Sequence, residues 1–321
     1  MKLNNDSRRK FLKDTALVTA AASMPSLFTQ ARSNRKAGEK VKLACIGIGN
    51  QGASDLMQFH KSGLAEFVAF CDVDMGAPQT QAVLKQFPDV PRFQDFRKMF
   101  DKMGNQIEAV SIGVPDHSHF AITMMALSLG KHVYVEKPMA RTFNEVELMM
   151  KAAAKHPKLV TQMGNQGASG KGVQTMIEWY NSGTIGEVNK VEVWTNRPVW
   201  PQGIKTPTEK PALLNNLDWD SWVGPAEWVD YNPLYHPFKW RGWWNFGTGA
   251  LGDMGCHLMD PPYRVLGLKY PTEVESSVGS IFTQDWTPDY YPESCPPSSR
   301  TQLKFEATEK NPSTVKLNWT D

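Results

Sequence analysis

The residues best suited to chemistry begin with a run of glycines, Gly47-Ile48-Gly49-Asn50-Gln51-Gly52. It follows the apolar stretch Val41–Ile46 and precedes a helix-forming segment from Ala53 to Lys61. In such a turn the first glycine allows the sharp bend, the second lets backbone approach a pyrophosphate, and the third lets helix pack closely on strand. Asn50 and Gln51 are read as further cofactor contacts, and the helix that follows turns its positive end to the phosphates. A second apolar stretch, Glu66–Cys71, ends in Asp72, 20 positions beyond Gly52. A carboxylate there suits a ribose 2′-hydroxyl and predicts NAD rather than NADP as cofactor. The motif alone also fits a glycine turn with no ligand; the strand before it, the helix after it and the acidic strand end argue for the dinucleotide.

Two further clusters sit at predicted strand ends. The strand Ala109–Val114 runs into Pro115-Asp116-His117-Ser118-His119, and His132–Val135 runs into Glu136-Lys137-Pro138. Ligands of doubly wound sheets gather at such carboxyl ends. A lysine partly desolvated beside an oxidised nicotinamide is suited to take up a hydroxyl proton; an exposed Glu-Lys pair of little consequence is the other reading of Lys137. His117 and His119 could meet on one ion from an extended loop, but no accompanying carboxylate or thiolate spacing is recognisable, so no metal is expected.

The densest signal in the second half is Gly249-Ala250-Leu251-Gly252-Asp253-Met254-Gly255-Cys256-His257. If helical, it puts Asp253 and His257 on one face, where a carboxylate can fix the imidazole tautomer for acid–base work. A capping Asp and a core His fit the same spacing. Pro261 and Pro262 follow and predict a bend that turns Asp260 away. Eight of the eleven tryptophans lie between Trp194 and Trp244, interleaved with Arg197, His236, Lys239 and Arg241. Such a mixture suits a sugar, with Arg197, Trp240, Arg241, Asp253 and His257 as substrate contacts, although each tryptophan taken singly also fits core packing.

These groups need scaffolding. Strands alternate with helical segments, Pro78–Phe87, Phe93–Lys102 and Ala121–Gly130, which predicts a parallel, doubly wound Rossmann sheet over residues 39–163. The rhythm stops at Gly164-Asn165-Gln166. Residues 164–321 read as an α+β domain with a mainly antiparallel sheet: a helix from Val173 to Asn181, an alternating strand Val188–Trp194, and two closing strands, Leu303–Ala307 and Thr314–Trp319. That sheet reads as incomplete, as in a truncated chain.

With 321 residues and 41% hydrophobic content the chain can build two cores, and 35 basic against 33 acidic residues leave no footprint for nucleic acid. The four cysteines are scattered, which predicts no disulfide framework. Residues 1–38 read as a leader and linker. Arg8 and Arg9, an apolar run from Ala16 to Met24 and Pro25 have the order of a twin-arginine export signal. A periplasmic or otherwise exported protein that meets the twin-arginine machinery is expected, with no span long enough to cross a membrane beyond the leader.

From about Lys40 onward the chain resembles the glucose-fructose oxidoreductase, inositol dehydrogenase and MocA family. The resemblance is carried by the turn Gly47–Gly52 with Asp72, Pro115-Asp116-His117, Glu136-Lys137-Pro138, and the Asp253/His257 pair. It implies a tightly bound NAD, Lys137 as catalytic or proton-relay lysine, His257 as general acid/base with Asp253 as its partner, and Pro115, His117 and Glu136 near the nicotinamide. It further implies hydride transfer to or from a sugar or polyol, and a homo-oligomer if the C-terminal sheet is complete. The alternatives are a redox-neutral glycosidase that oxidises its sugar transiently, which would suit an exported enzyme without a cofactor pool, and an inactive sugar-binding protein.

Overall fold

A computed structural model describes residues 38–321, and the export signal assigned to residues 7–25 lies outside the described residues. The chain packs as two compact units. One comprises the residues up to Gly164 together with Lys210–Tyr231; the other comprises Asn165–Glu209 with Asn232–Asp321.

The first unit is built on six parallel strands, β1 (Val41–Ile46), β2 (Ala65–Cys71), β3 (Arg92–Phe93), β4 (Ala109–Ile112), β5 (His132–Glu136) and β6 (Thr161–Gly164), in the spatial order β3-β2-β1-β4-β5-β6. Between them run α1 (Asn50–Ser62), α2 (Pro78–Gln86), α3 (Phe96–Met103), α4 (Asp116–Ser128) and α5 (Phe143–Lys155). Alternate residues of β1 face opposite cores. Leu43 and Cys45 pack with Leu56, Phe70, Val83 and Leu84, while Ala44 and Ile46 pack with Phe100, Ile122, Leu127 and Met149. Both faces are covered, so these strands read as continuous apolar runs. The strand order reverses between β1 and β4, the place where a doubly wound sheet opens a crevice.

Several boundaries differ from the periodicity: the helix expected from Ala53 already starts at Asn50, and two more bear on the site. A helix is predicted from Ala121, leaving residues 115–119 as a loop; instead α4 starts at Asp116, with Pro115 as its cap residue and the Asp116 carboxylate in its first turn. A negative charge there complements the helix dipole. The helix predicted from Phe93 starts at Phe96, because the Asp95 carboxylate accepts from the Arg97 amide and caps it.

The segment Lys210–Tyr231, which the sequence places with everything beyond residue 164, belongs to the first unit. The Met75 amide donates to the Asn216 carbonyl at 3.1 Å and the Asp218 amide to Val73 at 2.9 Å. Gln94 Nε2 reaches the carbonyls of both Val73 and Asn216. The short helix α7 (Trp219–Val223) lies on this segment, with Trp219 and Trp222 stacked at 4.5 Å.

The second unit contains α6 (Lys171–Asn181), α8 (Gly249–Leu258), α9 (Asp260–Leu266) and a four-stranded sheet. Its strands β7 (Lys190–Trp194), β8 (Glu273–Val278), β9 (Ser299–Phe305) and β10 (Val315–Thr320) lie in the order β7-β10-β9-β8. The β10/β9 and β9/β8 pairs are antiparallel and β10/β7 is parallel. Val193, Leu317, Trp319 and Phe305 pack against Val265, Leu266 and partly buried residues of α6. The tandem prolines do not bend a continuous helix. Pro261 and Pro262 sit in the first turn of α9, where the amide they lack has no partner to lose. Among the described residues no helix is long and apolar enough to cross a membrane.

Candidate functional site

The glycine turn closes the end of β1. Gly47 has φ +78° and its amide donates to the Cys71 carbonyl at 2.8 Å. A Cβ on Gly52 would run into the Gly47 carbonyl oxygen, and one on Gly113, at the end of β4, would come within 2.7 Å of the Gly52 Cα. Three glycines therefore interlock backbone to backbone. Helix α1 starts at Asn50 with no side chain capping it and no acidic residue in its first turn, so its first amides are left for an anion. Asn50 itself holds φ 44°, a conformation asparagine tolerates better than most residues.

The Asp72 carboxylate does more than wait for a ribose. Its Oδ2 accepts from the Ile48 amide and its Oδ1 from the Asp74 amide, both at 2.9 Å, so it braces the turn from β2. A Cβ on Gly49 would lie 3.3 Å from Thr80 Oγ1 and 3.9 Å from Asp72 Oδ2, which brings the buried Thr80 and Asp72 up to Gly49. These residues fit a dinucleotide: bare backbone for the pyrophosphate and a carboxylate for the ribose. Thr80 escapes sequence reasoning because nothing in its helical spacing separates it from a core residue. Gln51 turns inward, with its amide donating to Asp55 Oδ1 at 2.9 Å, so only its backbone is offered to a ligand.

At the ends of β4 and β5 the two histidines part company. His117 is buried, with Nε2 donating to the Trp222 carbonyl at 2.7 Å and its ring 5.2 Å from the Trp222 ring. The side chain assigned by sequence to the cofactor is thus tied to α7. His119 is 1% exposed and both ring nitrogens face carbonyls, Nδ1 that of Pro138 at 2.7 Å and Nε2 that of Val114 at 2.8 Å. An imidazolium satisfies both, a neutral ring only one. His119 therefore clamps the strand end before Pro115 to the one beyond Lys137. Replacing His119 by alanine strands two buried acceptors and should lower unfolding free energy by about 2–4 kcal/mol, read from urea denaturation midpoints.

Lys137 is half-buried directly after the buried Glu136, and its amide donates to the Gly164 carbonyl at 3.1 Å. The Glu136 carboxylate accepts from Tyr134 Oη at 3.5 Å and from the Lys137 amide at 3.3 Å. A Cβ on Gly164 would lie 2.5 Å from both Glu136 Oε1 and Tyr134 Oη, so only glycine leaves Glu136 its room. Burial first, and then the Glu136 charge, push the Asp55 carboxyl up to about 7 against the opposing Gln51 hydrogen bond. Burial and the same two carboxyls push Tyr134 up. Asp55 was not legible as a site residue: an aspartate inside an amphipathic helix reads as surface.

In the second unit α8 is helical over Gly249–Leu258, which sets Asp253 and His257 on one face. Gly249 opens it at φ +65°, with its missing Cβ only 3.1 Å from the Cys295 Cβ. The buried Asp253 carboxylate stands 3.6 Å from Arg241 Nε. The Arg241 guanidinium lies over the rings of Trp240 at 4.2 Å, Phe238 at 4.7 Å and Trp200 at 5.8 Å, and its Nη1 donates to the Phe238 carbonyl. An aromatic bed and one carboxylate hold this cation in place. Trp240 is 5% exposed and offers no free face to a sugar; it supports Arg241 instead. Trp200, Trp219, Trp222 and Trp243 are likewise core. Arg197 is half-buried on the chain leaving β7, its amide bonded to Thr195 Oγ1 at 3.2 Å.

Two models of one oxidoreductase family match the chain, its NAD-binding Rossmann fold over residues 41–163 and its C-terminal alpha/beta domain over residues 173–284. The chain is 23% identical over 265 residues to scyllo-inositol 2-dehydrogenase (NADP(+)) IolW of Bacillus subtilis, covering 83% of this chain and 62% of that protein. It is 28% identical over 164 residues to glycosyl hydrolase family 109 protein 2 of Shewanella sp. (strain ANA-3), covering 43% of this chain and 35% of that one. It thus spans less than two thirds of the length of either relative. Its fold matches the crystal structure of the WlbA dehydrogenase from Bordetella pertussis in complex with NADH and UDP-GlcNAcA, with a TM-score of 0.60 at 17% identity over 88% of this chain and 72% of that one.

Proposed function

We propose, from the premise that the chain belongs to the glucose-fructose oxidoreductase, inositol dehydrogenase and MocA family, that it transfers hydride between NAD and a hydroxyl-bearing carbon of a sugar or polyol. One observation carries this reading: Lys137 stands half-buried at the carboxyl end of β5, in a unit whose glycine turn is shaped for a dinucleotide. The nicotinamide, when bound, accepts the hydride. Lys137 Nζ takes the hydroxyl proton as the carbonyl forms and returns it in the reverse direction. The turn Gly47–Gly52 would hold the pyrophosphate by backbone amides, Asp72 would take the ribose, and Pro115 and Glu136 would lie toward the nicotinamide.

In the second unit His257 is the proposed second proton carrier and Asp253 a ligand for substrate hydroxyls. Arg241, held by Asp253 and its aromatic bed, and Arg197 supply further polar contacts to the substrate. The likeness to the family 109 glycosyl hydrolase favours a second reading, in which hydride is taken and given back within one turnover and a glycosidic bond is broken. Export by the twin-arginine route, proposed from Arg8 and Arg9, suits that cycle because cofactor is not consumed. A tightly held NAD completes the reading, with a homo-oligomer if the C-terminal sheet is complete.

The test is to supply NAD with free sugars, polyols and aryl glycosides and to follow NADH and aglycone separately. NADH accumulating with a free sugar or polyol is the expected result. Aglycone released without NADH selects the second reading, and neither product from a protein that binds NAD overturns both.

A further inference from the structure

The turn Gly164-Asn165-Gln166 reads in the sequence only as the end of a rhythm. Its asparagine, the first residue of the second unit, reaches the helix that carries His257. Asn165 Nδ2 donates at 2.7 Å to the Cys256 carbonyl, in the peptide that joins Cys256 to His257. A carbonyl only accepts, so this bond fixes which way the amide faces. It leaves Oδ1 buried and without a hydrogen-bond partner, and an orphan acceptor in a folded chain calls for a reason.

The reason lies at the end of α8. In an unbroken helix the carbonyls of His257 and Leu258 would accept from the amides four residues on, but Pro261 and Pro262 have none to give. α8 ends at Leu258 and α9 starts afresh at Asp260, with Met259 between them. The turn that carries His257 therefore lacks backbone bonds that lock an internal helical turn. Segment 165–168 braces this joint from outside the helix. Asn165 holds the peptide before His257, and the Ala168 carbonyl accepts from Arg264 Nη1 of α9, which also lies 3.5 Å from the Asp260 carboxylate. Leu251, Met254 and Leu258 pack another stripe of α8 into the core of the second unit and so set the rotation of the helix about its axis.

We infer that Asn165 is a positioning residue for His257: its side-chain amide holds the peptide before the histidine and so fixes where the imidazole is presented. Its effect on turnover rests on the reading of His257 as a proton carrier; its placing of the ring does not. Asparagine suits the task because its donor is neutral. A lysine could reach the same carbonyl, but its charge near the imidazole would disfavour the protonated ring.

The experiment is a double-mutant cycle with a second readout on the ring itself. Asn165→Ala, His257→Ala and the double variant are compared with the wild type in kcat, for a free sugar or polyol that gives NADH, and in NAD dissociation constant. The His257 ring is followed in nitrogen-15 spectra of histidine-labelled protein, its signals identified by their loss in His257→Ala. Asn165→Ala should lower kcat by about tenfold, as a slightly misplaced reacting group does, and leave the NAD dissociation constant within about twofold. In the His257→Ala background the same change should cost less than about twofold, because the group it places is gone. Of the histidine rings, that of His257 should show the largest displacement in Asn165→Ala.

Where His257→Ala impairs turnover, a wild-type kcat in Asn165→Ala overturns the inference. So does an equal loss with and without His257, the mark of a general loosening of the fold. If Asn165→Ala does not fold, Asn165→Asp takes its place in the cycle, since it keeps the shape and sets a carboxylate oxygen against the Cys256 carbonyl. If His257→Ala keeps the wild-type kcat, or no sugar or polyol gives NADH, the proposed role of His257 falls and the ring spectrum decides alone. Displaced His257 signals then keep the inference, and unchanged ones overturn it.

Discussion

Replacing Lys137 by alanine should lower kcat by about 10²–10⁴-fold, the range for losing a general acid–base group, with NAD affinity nearly unchanged. The side chain is assigned to the reacting hydroxyl, whereas the pyrophosphate is assigned to backbone amides of the glycine turn, which this change does not touch. The Lys137 amide keeps its bond to the Gly164 carbonyl, so the strand end keeps its register. Steady-state kinetics beside a fluorescence titration of NADH separate the two effects. Lys137→Arg sharpens the result, because a guanidinium keeps its charge and releases no proton. Recovery of turnover in that variant would show that Lys137 acts by charge; continued loss assigns it the proton. Wild-type kcat in Lys137→Ala removes the lysine from the chemistry.

Gly52→Ala is expected to destroy cofactor binding and to lower stability by roughly 3 kcal/mol. The new methyl would meet the carbonyl of Gly47 and, at 3.2 Å, that of Gly113, and both are backbone atoms that cannot swing aside. To make room, α1 would have to move off β1, taking with it the helix N-terminus that receives the pyrophosphate. A loss of at least about 100-fold in NAD affinity, close to 2.7 kcal/mol, is the measure. Gly104→Ala is the control: that glycine has open space around its missing Cβ and a right-handed helical φ of −52°, so stability should change by less than about 0.5 kcal/mol. Normal NAD binding by Gly52→Ala would mean that the turn does not set the cofactor's place.

The parts of the site that could be read along the chain are those whose physics is local. The glycine turn announces itself because only glycine permits φ +78° at residue 47 and contact between backbones at residue 52. The four strands β1, β2, β4 and β5 follow from apolar runs bounded by helical segments, whereas the two-residue β3 carries no such run, and Asp253 and His257 share a helix face because four residues make about one turn. Lys137 was marked by its place at a strand end, which the β5 boundary at Glu136 bears out as a position.

Sequence thus determined the dinucleotide turn, the alternation of β1, β2, β4 and β5 with helices in the first unit and the largely antiparallel α+β character of the second, whereas β3, α5, β8 and the parallel β10/β7 pair were decided by the fold. Tertiary structure alone decided which side chains remain available. His117 looked like a cofactor contact but is held by Trp222, 105 residues away, and Trp240 looked like a sugar platform but lies beneath Arg241. Asp55 looked like an ordinary helix aspartate, yet it is buried and acted on by the charge of Glu136 on another element. Spacing and residue type specify torsions and faces, whereas burial and partner choice come from packing between elements distant in the chain. A polar side chain has many such partners open to it until the fold admits one.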